Sequence, residues 1–202
     1  MRITGNVTIV GNGCNLFLTN NNSLIVDAPS KTLVIQHVNL HNMADSGVAV
    51  PRLRVNYSSA GVIMRDTTLV LDNDYTFSGG FMNIEGIVKM TGAGKIFTYT
   101  SSAQSTISGN STLLLDLGVT FSYAANVGSL YPSSYQDSKT RLMLADASST
   151  LCLDGATLYS THTGISLDVG MLLVKDHSVL KSVAGVDEGP YAHGAPSVGE
   201  EP

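Results

Sequence analysis

The sequence predicts an all-β chain: a single-stranded parallel β-helix, a solenoid of about seven to eight coils, with a short segment after it. Three observations predict this. Short runs alternate apolar and polar residues between Gly, Asn, Asp and Ser. One pattern of apolar residues and turns recurs in the second half of the chain. No stretch carries an apolar stripe at helical spacing over three turns, so helix is expected to be nearly absent.

Composition narrows the class. Of 202 residues, 43% are hydrophobic but only 6% aromatic, with no Trp, so the core is expected to be assembled from Val, Ile, Leu and Met. Charged residues are 13%, about half the usual share, while Gly, Ser, Thr and Asn are abundant; turns must be numerous and the surface polar without much charge. That combination points to a secreted or surface protein, and an extracellular or cell-surface location is expected. The N-terminus has one Arg and no apolar h-region, so no signal sequence is expected within residues 1–202. A net charge of −5 without Lys/Arg clusters excludes a nucleic-acid footprint, and no apolar run reaches the length of a membrane span. Cys14 and Cys152 lie several coils apart in a solenoid, too distant for a bridge, and two free thiols are expected.

The recurrence is read as a duplication. Val7-Thr-Ile-Val-Gly-Asn-Gly13, followed by Leu16 and Leu18, matches Val88-Lys-Met-Thr-Gly-Ala-Gly94, followed by Phe97 and Tyr99, at an offset of 88 − 7 = 81. The same offset sets Val38-Asn-Leu40 on Val119-Thr-Phe121, Gly47 on Gly128 and Pro51 on Pro132. Val62-Ile-Met64 then lies over Leu142-Met-Leu144, and Thr68-Leu-Val-Leu-Asp72 over Thr150-Leu-Cys-Leu-Asp154. Residues 5–85 and 86–183 are accordingly two copies of one unit within a domain spanning 1–183. The phrase Thr-Leu-x-Leu-Asp, at 68–72, 112–116 and 150–154, is expected to stack as a column. Residues 184–202 hold Gly185, Gly189, Pro190, Gly194, Pro196, Gly199 and Pro202 without alternation, as expected of a flexible tail or linker.

The opening Gly5-Asn-Val-Thr-Ile-Val-Gly-Asn-Gly13, with Leu16 and Leu18, resembles the first coil of right-handed parallel β-helices of the pectin-lyase-like superfamily. Ser149-Thr-Leu-Cys-Leu-Asp-Gly-Ala-Thr-Leu158 and Asp74-Tyr-Thr-Phe-Ser-Gly79 look like repetitive surface and adhesin-type β-helical proteins of Dependentiae-type and other host-associated bacteria. The resemblance implies a right-handed coil. It leaves function open, because that superfamily includes lyases, hydrolases, adhesins and phage tail proteins.

Candidate chemistry is sparse. Asp66, Asp72, Asp146 and Asp154 fall at strand ends, where a carboxylate is favoured for accepting turn N–H bonds alone. The Gly-His-Gly and Arg-x-Lys signatures of pectin hydrolases are missing, and Arg52-Leu-Arg54 does not form the arginine pattern of pectate lyases. His37 and His41 sit four apart on one strand, about 13 Å from each other, too far for one metal. His162, His177 and His193 have no ligand spacing, and no Gly-x-Ser-x-Gly elbow exists. No cofactor and no metal site is expected. Asn6, Asn21, Asn56 and Asn110 match Asn-x-Ser/Thr and read as surface positions.

Two longer segments, 43–61 and 124–140, lose their apolar period, and the duplication places them on one side of the solenoid. Val50, Arg52 and Arg54 in the first, and Leu130, Tyr131 and Tyr135 in the second, are the candidate binding residues. The plainer reading is a pair of tolerated insertions against the coil wall. The expected function is a non-catalytic surface or structural module that adheres or displays a ligand-binding surface to a host receptor, glycan or neighbouring subunit. Polysaccharide lyase or hydrolase activity and a phage tail-spike segment are the alternatives. Weakly capped ends also leave end-to-end or trimeric self-association open.

Overall fold

In the computed structural model, which describes residues 1–19, 21–44, 51–123, 142–160 and 169–182, each strand pairs with one roughly a full circuit of chain away, and always in the parallel sense. There are nineteen strands and no helix among the described residues. Along one line of pairing, Val7, Leu33, Val62, Met82 and, through Ile84 and Ile107, Leu144 belong to neighbouring registers. The interval varies, from 82 − 62 = 20 to 144 − 107 = 37 residues, so turns absorb length while strands keep register.

Three strips result. The first comprises the leading halves of β2 (Val7–Phe17) and β4 (Thr32–His41), then β6 (Gly61–Arg65), β9 (Phe81–Glu85), β12 (Ser105–Ile107) and β15 (Leu142–Leu144). The second comprises the trailing halves of β2 and β4, then β7 (Thr68–Val70), β10 (Ile87–Thr91), β13 (Thr112–Leu115), β16 (Thr150–Leu153) and β18 (Met171–Val174). The third is broken into two sheets: β1 (Arg2–Ile3), β3 (Leu24–Val26) and β5 (Leu53–Val55), and separately β8 (Tyr75–Phe77), β11 (Ile96–Tyr99), β14 (Thr120–Tyr123), β17 (Thr157–Ser160) and β19 (Val179–Ser182).

The corner between the first two strips needs a left-handed residue. His37 (φ 51°), Asp66 (φ 45°) and Gly86 (φ 66°) supply it in successive layers. Gly86 is required, since a Cβ there would fall 2.1 Å from the Asp66 carboxylate that accepts the Ile87 N–H. Buried hydroxyls meet the backbone groups that the corners free. Thr67 donates to the Ile35 and Arg65 carbonyls, Ser111 accepts the Gly86 N–H, and Ser149 accepts from Ala145 and Asp146.

Alternation sends every second side chain inward. Leu16, Leu40, Leu69, Met90, Leu115, Leu153 and Val174 form one continuous column. The core is not only aliphatic, however. Six aromatics, Tyr75, Phe77, Phe97, Tyr99, Phe121 and Tyr123, are buried in the third strip, with Phe97 on Phe121 at 5.3 Å between ring centroids and Tyr99 on Tyr123 at 5.7 Å. The low aromatic share was concentrated by register instead of being dispersed. Each such pair adds about 0.5–1.5 kcal/mol beyond area burial.

The 81-residue match is not the period of this stacking. Val7 belongs to the first strip beside Leu33, and Val88 to the second beside Leu113. An alternating pattern matches itself at many even shifts, so similarity of pattern does not imply a shared strip. One part of the match keeps its strip, since the Ile107 position above Ile84 and Met64 carries Leu144, and part of the expected column holds, since Thr112 to Leu115 stack on Thr150 to Leu153. Thr68, in contrast, pairs with Lys89, two positions out of phase with Thr112. The placement of the two long segments on one side turns on 45–50 and 124–141, which lie outside the described residues.

The break in the third strip is closed by a side chain. β5 has no ladder partner in the next layer among the described residues; the Tyr75 hydroxyl donates to the Leu53 carbonyl at 2.9 Å instead, and Gly79 passes so near that a Cβ would lie 2.2 Å from the Val55 oxygen. Burial pushes the Tyr75 phenol well up, which keeps it a donor. Tyr75→Phe is expected to lose about 1–3 kcal/mol in urea unfolding by leaving that buried carbonyl unpaired, whereas Tyr57→Phe, at a site 43% exposed, is expected to change it little. Equal behaviour of the two variants would show that the hydroxyl does not close the gap.

Candidate functional site

The carboxylates of the described turns are engaged singly. Asp66 accepts from the Ile87 N–H at 3.0 Å, Asp72 from the Asn42 N–H at 2.8 Å and Asp74 from the Ile96 N–H at 2.9 Å. Asp146 accepts the Ser148 N–H and hydroxyl, which hold its carboxyl below the ordinary range. In each case the acceptor joins a turn to itself or to a strand one layer away. Among the described residues no three His, Cys, Asp or Glu side chains gather as metal ligands would.

Charges also close in pairs across layers. Arg65 lies 2.5 Å from Glu85 and reaches Gln36 on the other side, Lys89 lies 2.7 Å from Asp116, Lys175 lies 2.7 Å from Asp154, and Arg2 lies 3.1 Å from Asp27. Burial alone would raise the Asp116 carboxyl, but the Lys89 hydrogen bond and charge, the Leu117 N–H and the Thr91 hydroxyl outweigh it and hold the carboxyl below the usual value. The Asp154 carboxylate raises the Lys175 amine in the same way.

The two cysteines are free thiols, Cys14 exposed and Cys152 buried, and burial raises the Cys152 thiol. Cys152 points outward on the second strip, in the column of Lys89, Leu114 and Leu173. His37 serves as a corner residue, and the His41 ring stacks on Phe17 at 4.4 Å. The His41 Nδ1 comes within 3.4 Å of Asp72 but is buried without a hydrogen bond, because that carboxylate oxygen faces the Asn42 N–H.

Of the six candidate binding residues, Val50, Leu130, Tyr131 and Tyr135 lie outside the described residues, as do His162, His193 and the segment 184–202. Arg52 is half-buried and points its Nη1 at the carbonyls of Leu18 and Asn42, both at 3.4 Å, so it braces the corner where β2, β4 and β5 meet. Arg54 stands at the centre of β5 beside Ile25, and its Nε is buried with no acceptor. Sequence reasoning grouped the two arginines by spacing, yet on a strand they flank an inward Leu53 and do different work. The residues it missed are the buried hydroxyls and Tyr75; their one sequence signal is the recurrence of aromatic-x-aromatic at Tyr75, Phe97 and Phe121.

No helix among the described residues is long and apolar enough to cross a membrane. No family model matches the chain, and no curated protein and no solved structure matches it either.

The lowered Asp116 carboxyl has a definite pH signature. A depressed acid stabilises the fold above its unfolded pKa of about 3.9 and loses that contribution as pH falls through the lower folded value. Asp116→Asn is expected to cost up to about 1 kcal/mol near pH 7, the difference from wild type fading as pH falls below the ordinary carboxylate range. A difference in chemical unfolding that persists unchanged in acid would contradict the Lys89 assignment.

Proposed function

We propose that the chain is a non-catalytic module, a right-handed single-stranded parallel β-helix of the pectin-lyase-like kind, that holds side loops for adhesion or ligand display at an extracellular or cell surface. The column from Leu16 to Val174 has seven members, which supports about seven coils, and parallel crossovers take the right-handed sense. The observation that carries the functional reading is the use of the carboxylates. A glycan-cleaving site needs two or more acids facing one open groove, whereas here Asp66, Asp72, Asp74 and Asp146 are each taken up by a backbone N–H, of Ile87, Asn42, Ile96 and Ser148 respectively.

A stack with register fixed across all its layers is a rigid support, and recognition on such supports falls to the segments that leave it. Arg54, half-buried on β5 near the first long segment, offers a cationic guanidinium whose Nε is itself buried. Acidic glycans and acidic patches on a host receptor are the ligands that suit it.

The test is a glycan and host-surface binding screen of the whole chain beside a variant with 45–50 and 124–141 both shortened, leaving Met43 and Arg52 in place because the Arg52 N–H donates to the Met43 carbonyl. The expected result is at least a tenfold loss of binding with an unchanged melting temperature. Equal binding by the two proteins would refute loop display.

A further inference from the structure

Inward-facing apolar side chains in the middle of the stack are covered from both sides, whereas those in the outermost layers are not. At one end Val7, Ile9 and Leu16 of β2 occupy the columns of Leu33, Ile35 and Leu40 yet are only partly buried. At the other, Val174 continues the column of Leu153 and is 43% exposed, and Leu180 continues the column of Phe97, Phe121 and Leu158 and is 55% exposed. Among the described residues, no strand pairs the outer edge of β2 at one end or of β18 and β19 at the other. Two edges of a parallel sheet with unused N–H and C=O groups are templates for further pairing.

We infer that these two ends dock on each other, so that a second copy of this chain adds head to tail and continues the parallel ladder from β18 of one copy to β2 of the next. The columns themselves select this occupant. A strand that fits β18 must run parallel, present apolar residues at alternate positions in phase with Leu172 and Val174, and carry tolerant side chains between. The trailing half of β2 meets those conditions by construction, because Leu16 is the first member of the column of which Val174 is the last. Val174 then covers Leu16, and Leu173 falls on Asn15.

The flanking chemistry agrees. Lys175 follows Val174, and Phe17 follows Leu16, so the shared register brings the Lys175 ammonium over the Phe17 ring. That ring is 51% exposed and stacks on His41 at 4.4 Å. An ammonium over an aromatic face is an attractive contact, which the Lys175 amine makes in addition to its 2.7 Å pairing with Asp154. The interface is heterologous: the surface used at one end differs from that at the other, so growth does not close at two copies but runs on as a filament.

The inference rests on the stacked register and not on loop display; the loop-shortened chain should assemble as the whole chain does, which separates failure of one idea from failure of the other. The experiment is sedimentation of the whole chain over a range of concentrations, with two variants at exposed positions, Phe17→Lys and Val174→Lys, whose circular dichroism and melting temperatures serve as fold controls. The weight-average mass of wild type is expected at least to double from the 21.2 kDa of one chain as concentration rises. Each variant, with one end blocked, should remain at the single-chain mass, and an equimolar mixture of the two should stop at a dimer, because one sound end of each kind remains. Wild type that stays at the single-chain mass overturns the proposal. So do variants that assemble as wild type does, or a mixture that stays monomeric. A wild-type dimer that grows no further also overturns it, since that marks a two-fold interface.

Discussion

Direct stacking of equivalent residues along parallel backbone ladders is the constraint from which the rest of this molecule follows. When Leu113 must sit on Leu151 and Leu115 on Leu153, each inward position sees its own kind above and below, and the layer spacing is set by backbone hydrogen bonds. The consequence is that length can vary only in the turns. Layers of different size therefore keep the same columns, and where the ladder fails, between β5 and β8, the buried Tyr75 hydroxyl and Gly79 make up the difference.

The same constraint decides where polar chemistry goes. Corners expose backbone groups that a ladder no longer satisfies, so Asp, Ser and Thr collect there and are spent on N–H and C=O partners. Outward positions on neighbouring layers bring unlike charges within reach, as with Arg65 and Glu85 or Lys89 and Asp116, and they close on each other. Such exposed pairs contribute little to stability, about 0–1 kcal/mol each. Their effect is to neutralise Arg2, Arg65, Lys89 and Lys175 within the wall.

The strands were legible in the sequence because alternation is a local property. Thr112 to Leu115 and Thr150 to Leu153 show the expected period within and between strands, and Asp146 bonds within its own turn as expected, whereas Asp66, Asp72 and Asp74 reach N–H groups one layer away. The long-range register was less legible. Val7-Thr-Ile-Val and Val88-Lys-Met-Thr have one pattern but occupy different strips, since an alternating chain is similar to itself wherever strands begin in the same phase. The aromatic column was hidden by its low overall share, though Tyr75-x-Phe77, Phe97-x-Tyr99 and Phe121-x-Tyr123 repeat at intervals of 22 and 24 residues. Arg52 was read as an exposed anchor because spacing carries no record of which backbone carbonyls a guanidinium will reach.

The most direct measurement is of register itself. On a background with Cys14 and Cys152 replaced by Ser, Thr112→Cys and Thr150→Cys place two thiols on directly paired positions of β13 and β16. Adjacent parallel strands lie about 4.8 Å apart, within the range of a disulfide. Mild oxidation should therefore close this bridge in the native protein, while Thr112→Cys with the native Cys152 and Thr150 retained, two positions out of register, should close far more slowly. Equal rates for the two pairs, or no bridge between 112 and 150, would contradict the stacking on which this account of the molecule rests.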